Sequence, residues 1–365
     1  MELFLTIAAA IYSLRLLFFA SGQLRAGVRR GNVADQKRVS IIIPARNEEH
    51  NLHRCIASLH QLQYPEHLLE IVFVNDRSTD NTASIINQAA ESWSVIRTVH
   101  RTEADARENL RGKPGALQSG IDAASGDVYL FTDADCVVEP QWIRTMLAPF
   151  ANSNVKMVCG FTTIEHSSAF GILQDIEWLY THSMAQGSLT NHIPIGCFGN
   201  NMAIDATAFR ELGGYNVVAF SVTEDLALLQ AMVRTGHKVA YICSATSAVE
   251  TLPCTTLAEY LQQKQRWVRG GTQLGWRATM FVITSVMYWT GLVLSIVTQS
   301  PGWTLTFLAL RAVGDGQLIN LSVVRLRRWS SIPAIAPSLI ILLLLELILP
   351  ILTLRKKVQW KGQTF

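Results

Sequence analysis

The chain has 365 residues, 49% of them hydrophobic and only 16% charged, with a formal net charge of +3. That length allows a buried core and a cleft, while so small a charge, with no basic patch interleaved with aromatics, excludes a nucleic-acid partner. Six scattered cysteines (Cys55, Cys136, Cys159, Cys197, Cys243, Cys254) form no C-x-x-C pair, so neither a zinc site nor a disulfide framework is indicated and reduced thiols are expected.

The first predicted element is apolar. Residues 3–20 carry one charge, Arg15, and are just long enough to cross a bilayer. A cleaved signal needs basic residues before the apolar run; here Glu2 precedes it and Arg25, Arg29, Arg30, Lys37 and Arg38 follow. An uncleaved anchor over residues 1–24 is expected, in a multi-pass cell-membrane protein whose next domain faces the cytoplasm.

From Val39 to about Val249, short apolar runs alternate with amphipathic stretches, the pattern of an α/β domain with a largely parallel, Rossmann-like sheet. Strands are predicted at Val39–Ile43, Glu70–Val74, Val95–Val99, Asp127–Phe131 and Val155–Val158. In such sheets ligands lie beyond the carboxyl ends of the strands. Polar sets fall there: Pro44 to Glu48 after the first strand, Asn75 to Ser78 after the second, and Thr132 to Asp135 after the fourth. For Ser78, Thr79 or Asp80, capping of the next helix is the favoured reading; three such sets together should line one crevice.

Asp133 and Asp135, two apart in extended chain, can project to one side, and two hard oxygen donors suit Mg²⁺ or Mn²⁺ carrying phosphate oxygens. No G-x-x-x-x-G-K-[ST] or G-x-G-x-x-G follows the first strand, which argues against a P-loop ATPase or a dinucleotide-dependent dehydrogenase. Lys113 opens a helix, where it can meet a phosphate or stand solvated in a loop. Thr223-Glu224-Asp225 precedes a helical run; its carboxylates either supply a general base or cap the helix. Gln263 and Arg266 share one face of a later helix, where Arg266 can clamp phosphate or, with Trp267, anchor at a membrane surface.

Two further apolar runs, 278–297 and Ile332–Leu354, read as spans. Between them Trp303–Val324 carries Arg311 and Asp315, which in lipid must pair or face other helices. Three C-terminal spans would put Arg355, Lys356, Lys357 and Lys361 outside and Arg325, Arg327 and Arg328 inside, so two or three segments are left open over 278–354. The tail, 355–365, is expected to be basic and cytoplasmic.

Asp76, Asp133-Ala134-Asp135, Thr223-Glu224-Asp225 and Gln263-x-x-Arg266-Trp267, in this order, closely resemble the membrane-bound, inverting family 2 glycosyltransferases of GT-A fold, over about residues 38–277. Val358-Gln359-Trp360-Lys361-Gly362 is similar to the W-K-G ending of many membrane members. The resemblance implies that Pro44, Arg46, Glu48 and Asp76 hold the base and ribose of a nucleotide-diphosphate sugar, with a UDP-sugar the expected donor. It implies that Asp133 and Asp135 hold the metal and diphosphate, that Asp225 is the catalytic base with Glu224 its rival, and that Gln263, Arg266 and Trp267 close over nucleotide and acceptor. Gly199-Asn200-Asn201-Met202 resembles the acceptor-side loop.

There are two departures. The usual G-K-A is Gly112-Lys113-Pro114, and the F-F-C-G loop of cellulose and hyaluronan synthases is absent, Cys197-Phe198-Gly199 ordering the residues differently. The expected activity is therefore transfer of one sugar, a hexose, to a hydroxyl of a membrane lipid. A processive polysaccharide synthase is the alternative, and a catalytically inactive scaffold the third reading.

Overall fold

The structure, a computed structural model, describes residues 1–26, 37–103, 107–353, 359–360 and 363–364. The chain divides into two compact units. One is built from residues 1–26, 166–195 and 253–353; the other from residues 37–165 and 196–252 with a two-stranded ladder, Gln359–Trp360 against Gln363–Thr364. The expected basic tail residues Arg355, Lys356, Lys357 and Lys361 lie outside the described residues, as do Arg29, Arg30 and Gly362.

In the α/β unit, runs such as Ile41-Ile42-Ile43 and Ile71-Val72-Phe73-Val74 are buried on both faces, as parallel strands covered by helices require. The strands in chain order are β1 (Val39–Ala45), β2 (Leu69–Asp76), β3 (Ile96–Arg101), β4 (Val128–Phe131), β5 (Val137–Val138), β6 (Val155–Gly160), β7 (Thr162–Ile164), β8 (Met202–Asp205), β9 (Lys238–Ile242) and β10 (Val249–Thr251). The main sheet runs β3-β2-β1-β4-β8-β6-β9, and β5-β10-β7 form a smaller one. One hydrophobic core cluster of the unit joins Ile41, Ile43, Phe73 and Leu130 to Cys55, Leu59, Ile86, Trp142 and Met146.

All five expected strands form, and β3, β2, β1 and β4 are mutually parallel. The chain builds outward from β1 to β3 and then returns to place β4 on the other side of β1. A ligand crevice opens at such a reversal. Two strands of the main sheet, β8 and β9, and all three of the smaller one were not foreseen, and β8 runs antiparallel to both β4 and β6. Its first residue, Met202, pairs with Phe131 at the end of β4. Antiparallel pairing therefore delivers the loop before β8, residues 199–201, to the sheet edge where Thr132 to Asp135 emerge.

Among the described residues of the helical unit, four helices are long and apolar enough to cross a membrane: Glu2–Arg25, Trp276–Val297, Pro301–Arg325 and Trp329–Leu352. Their outward residues are apolar, among them Leu14, Leu17, Val286, Val293, Leu305, Ile340 and Leu344, whereas Arg15, Arg311 and Asp315 are buried. That inside-out pattern is the one lipid favours. Glu2–Arg25 packs on the helix Ala169–Thr190, and a Cβ on Gly22 would lie 1.9 Å from the Gly187 carbonyl oxygen. Only small residues allow helices that close.

The expected Arg311–Asp315 pair forms at 2.9 Å, within a π-helical segment, Leu310–Asp315. It belongs to a larger set. Tyr12 Oη donates to Asp315 Oδ2 at 2.7 Å and Tyr180 Oη to Asp315 Oδ1 at 3.1 Å, while Glu346 pairs with Arg311 at 3.0 Å and Arg15 at 3.6 Å. The charges sum to zero, as burial of ions demands.

Candidate active site

The loops after β1 and β2 latch onto each other. Asn47 N donates to Ser78 Oγ (3.1 Å), Thr79 N to Asn47 Oδ1 (2.8 Å), Glu49 N to Asp80 Oδ2 (3.1 Å) and Asn81 N to Glu49 Oε2 (3.0 Å). Of the three expected caps, Asp80 alone bonds the start of the next helix, accepting from Thr82 N at 3.0 Å. Ser78 and Thr79 serve as clasps instead. Glu48 is buried between these loops, its Oε2 accepting from Asn51 Nδ2 at 2.8 Å, and Pro44 and Arg46 are half-buried beside it in the chain.

Asp76 ends β2, is buried, and meets two guanidiniums, that of Arg77 from the expected polar set and that of Arg101, which sequence reasoning missed. Arg77 donates to both its oxygens (3.0 and 3.1 Å) and Arg101 Nη1 donates to Oδ1 at 2.9 Å. Arg101 is the register partner of Asp76 in β3, a neighbour that only the register of the second and third strands could have identified. Arg101 passes over Gly115, where a Cβ would stand 2.8 Å from Arg101 Nη2 and 2.2 Å from the Leu110 carbonyl oxygen.

Lys113 is not a solvated loop lysine. Its ammonium lies 2.6 Å from Asp133 Oδ1 and 3.4 Å from Glu224 Oε1, and its side chain is only 12% exposed. Burial works against the charge, but Asp133 and Glu224 outweigh it and hold Lys113 above the ordinary lysine range. Asp133 and Asp135 are both half-buried, with the Cys136 thiol 3.4 Å from Asp135 Oδ1. Burial, then the charges of Asp135 and Asp133, push the Cys55 and Cys136 thiols up, so both stay protonated.

Asp225 is set by backbone. Its Oδ2 accepts from Gly199 N at 2.8 Å and its Oδ1 from Leu226 N at 2.8 Å. Thr223 sits at the start of the helix Glu224–Arg234 without capping it through its side chain. Gly199 is close to both carboxylates: a Cβ there would lie 3.2 Å from Glu224 Oε1 and 3.4 Å from Asp225 Cβ. Asn200 is buried, accepting from Thr162 Oγ1 at 2.8 Å. Asn201 is fully buried, its Oδ1 accepting from Trp142 Nε1 (2.9 Å) and its Nδ2 donating to the carbonyls of Phe161 (2.7 Å) and Ser247 (2.9 Å). Asn201 thus braces the loop from beneath rather than presenting its amide outward.

One cluster of the α/β unit therefore gathers Lys113, Asp133, Glu224, Asp225 and Gly199. Among the described residues no group of three or more His, Cys, Asp or Glu side chains is arranged to hold a metal ion. The donor set of Asp133 and Asp135 fits an ion that takes its remaining ligands from diphosphate and water. Both Asp133 oxygens meet the Lys113 ammonium, at 2.6 and 2.9 Å, so an ion bound there would share Asp133 with that cation.

Gln263, Arg266 and Trp267 lie in the helical unit, all half-buried on the helix Leu257–Gly271. A capping box starts it: Glu259 N donates to Thr256 Oγ1 (3.2 Å) and Thr256 N to Glu259 Oε2 (3.3 Å).

Comparison with known proteins agrees with this architecture. The family model described as glycosyl transferase family 2 matches residues 40–213, and that described as glycosyl transferase family group 2 matches residues 130–352. The chain is 29% identical over 245 residues to a probable glycosyltransferase, YdaM, of Bacillus subtilis, covering 66% of this chain and 57% of that protein. It is 26% identical over 282 residues to the poly-β-1,6-N-acetyl-D-glucosamine synthase of Staphylococcus aureus, covering 74% and 65%. The chain thus spans less than two thirds of the length of these curated relatives. In structure it is similar to a mannosyltransferase of Pyrobaculum calidifontis solved with GDP-Man and Mn²⁺, with a TM-score of 0.56 at 17% identity, over 92% of this chain and 99% of that one. This likeness shows the GT-A fold, and with a family model spanning more than half of its residues the chain belongs to the family 2 glycosyltransferases.

Proposed function

We propose that the protein transfers a sugar from a nucleotide-diphosphate sugar to a hydroxyl of a membrane lipid, by a single inverting displacement. The observation that carries this reading is the cluster at the ends of β4 and β8, where Asp133, Lys113, Glu224 and Asp225 stand against the Gly199 loop. Asp225, oriented by two backbone N–H groups, takes the proton of the acceptor hydroxyl as its oxygen attacks the anomeric carbon. The nucleoside diphosphate leaves on the opposite face, and that centre inverts. Such a base contributes about 10²–10⁴ in rate. Glu224, tied to Lys113, keeps that cation in place.

Asp133 and Asp135 are the residues that would hold Mg²⁺ or Mn²⁺, an ion that supplies charge neutralisation to the leaving diphosphate. Asp76, with Pro44, Arg46 and Glu48 on the neighbouring strand end, holds the nucleoside of a UDP-sugar, and Gly199 and Asn200 line the acceptor side. The roles of Gln263, Arg266 and Trp267 rest on the resemblance. A lipid acceptor is supported by the chain's own course: the helix that bears those three residues ends at Gly271, and the apolar helix Trp276–Val297 begins five residues later. The four apolar helices with their buried charges support a multi-pass cell-membrane protein, and the basic residues Arg25, Lys37 and Arg38 after the first of them support a cytoplasmic catalytic unit.

A second reading, polysaccharide synthesis, is favoured by the synthase relative named above. The test of donor chemistry is to incubate the purified full chain with a panel of nucleotide-diphosphate sugars and membrane lipid. Nucleoside diphosphate should be released with Mg²⁺ or Mn²⁺ and not in excess chelator. Release that is undiminished in chelator would overturn the assignment of Asp133 and Asp135.

A further inference from the structure

On the helix Leu257–Gly271, Tyr260, Lys264 and Trp267 stand at spacings of four and three residues and so form one stripe. Lys264 is 2% exposed, which is rare for a lysine. Its ammonium forms an ion pair with Glu177 of the helix Ala169–Thr190, itself 7% exposed. The same ammonium lies over two aromatic rings, 3.9 Å from the Trp267 centroid and 4.7 Å from that of Tyr260. Tyr260 Oη donates to Glu177 Oε2 at 3.4 Å and Thr181 Oγ1 to Glu177 Oε1 at 3.2 Å, so the carboxylate is itself held from two sides. Trp178, one residue after Glu177, meets the Trp267 ring edge-on at 5.0 Å.

A desolvated cation over an indole face is a strong and directional contact. Here it acts on the tryptophan that ends the Gln263-x-x-Arg266-Trp267 set, and no part of the functional reading uses Lys264 or Glu177. We propose that Lys264, held by Glu177, is a positioning residue for Trp267: the buried ammonium fixes the face of the indole while Trp178 fixes its edge. The consequence for acceptor use rests on the function proposed above; the fixation of the ring does not.

Removing one charge strands the other in the interior and confounds stability with position. The informative variant is therefore the neutral pair Glu177→Gln/Lys264→Met, which keeps volume and removes both charges. Full-length protein labelled with 5-fluorotryptophan gives a direct readout by fluorine NMR, the Trp267 line being identified with Trp267→Phe. One narrow Trp267 line is expected in the parent, and a broadened or shifted one in the neutral pair. The same variant should show an acceptor KM raised at least tenfold with donor KM within twofold of the parent, and Lys264→Arg, which keeps a cation on the ring, should restore most of the loss. An unchanged Trp267 line in the neutral pair overturns the proposal. If neither the neutral pair nor Lys264→Arg folds, the two residues act in stability alone, which overturns it as well. A parent enzyme with a narrow Trp267 line and no sugar transfer would sink the functional reading and leave this one standing.

Discussion

Lys113 and Asp133, 20 residues apart in the chain, meet with Nζ 2.6 Å from Oδ1, and through the same ammonium Asp133 is joined to Glu224. Lys113 is thus the cation between two carboxylates that would otherwise repel. Lys113→Met removes charge-assisted hydrogen bonds worth about 1.5–3 kcal/mol, so turnover should fall about ten- to a hundredfold. Lys113→Arg should recover part of it. Steady-state kinetics of the two variants check this, and equal activity of Lys113→Met and parent would remove Lys113 from the site.

Asp76 is held by Arg101, and Arg101 needs the bare Cα of Gly115 to reach it. Gly115→Ala, whose Cβ would meet the Leu110 carbonyl oxygen at 2.2 Å as well as the guanidinium, should lower stability and raise the donor KM by about tenfold or more, about tenfold being the loss expected for one charged hydrogen bond. Arg101→Met should raise the donor KM alike, with kcat little changed and without the backbone clash. A donor KM unaltered in both variants would show that Asp76 is oriented by Arg77 alone.

Asp225→Asn keeps the shape that accepts the Gly199 N–H and removes basicity. Its kcat should fall by about 10²–10⁴ while donor binding stays near normal. Glu224→Gln breaks an ion pair with Lys113 and should act more on donor KM. Near-normal turnover by Asp225→Asn beside an inactive Glu224→Gln would move the base to Glu224.

The helix bearing Gln263, Arg266 and Trp267 depends on its capping box, so Thr256→Ala should destabilise the protein by about 1 kcal/mol in thermal or denaturant unfolding. The Glu259 carboxyl is held below its ordinary value, first by the Thr255 hydroxyl and then by the Thr255 and Thr256 backbone N–H groups. A carboxyl whose folded pKa is depressed stabilises the fold above its unfolded pKa, and that contribution is lost as pH falls from about 4.5 through the lowered value. Thr255→Val, which removes the hydroxyl that lowers the Glu259 carboxyl, and parent should converge in stability on acidification. A gap between these two that is unchanged or widens below about pH 4.5 would contradict the role of the Thr255–Glu259 contact.

The parallel half of the sheet was legible in the sequence because strands buried on both faces are continuous apolar runs, and the polar sets at their ends marked the crevice. β8 was not, since Met202 to Asp205 is four residues without a period of its own; its antiparallel course is what brings Gly199 to Asp225. Cross-strand and cross-helix partners were equally hidden. Arg101, Glu177 and Glu346 each lie far in sequence from the groups they hold, and local spacing carries no trace of such pairs. Arg311 and Asp315, four apart, were readable for the same reason that the others were not.

The activity proposed is the passage of one sugar to a hydroxyl of a membrane lipid. The most direct measurement is to incubate the purified full chain, the radiolabelled nucleotide sugar that it consumes, Mg²⁺ or Mn²⁺ and membrane lipid, then partition the label between organic extract, aqueous phase and insoluble residue, with mass spectrometry of the lipids. Label is expected in the organic extract, on a lipid heavier by one sugar residue, with the anomeric configuration opposite to that of the donor. Label in a high-molecular-weight, detergent-insoluble polymer, or a product that retains the donor's configuration, would contradict it.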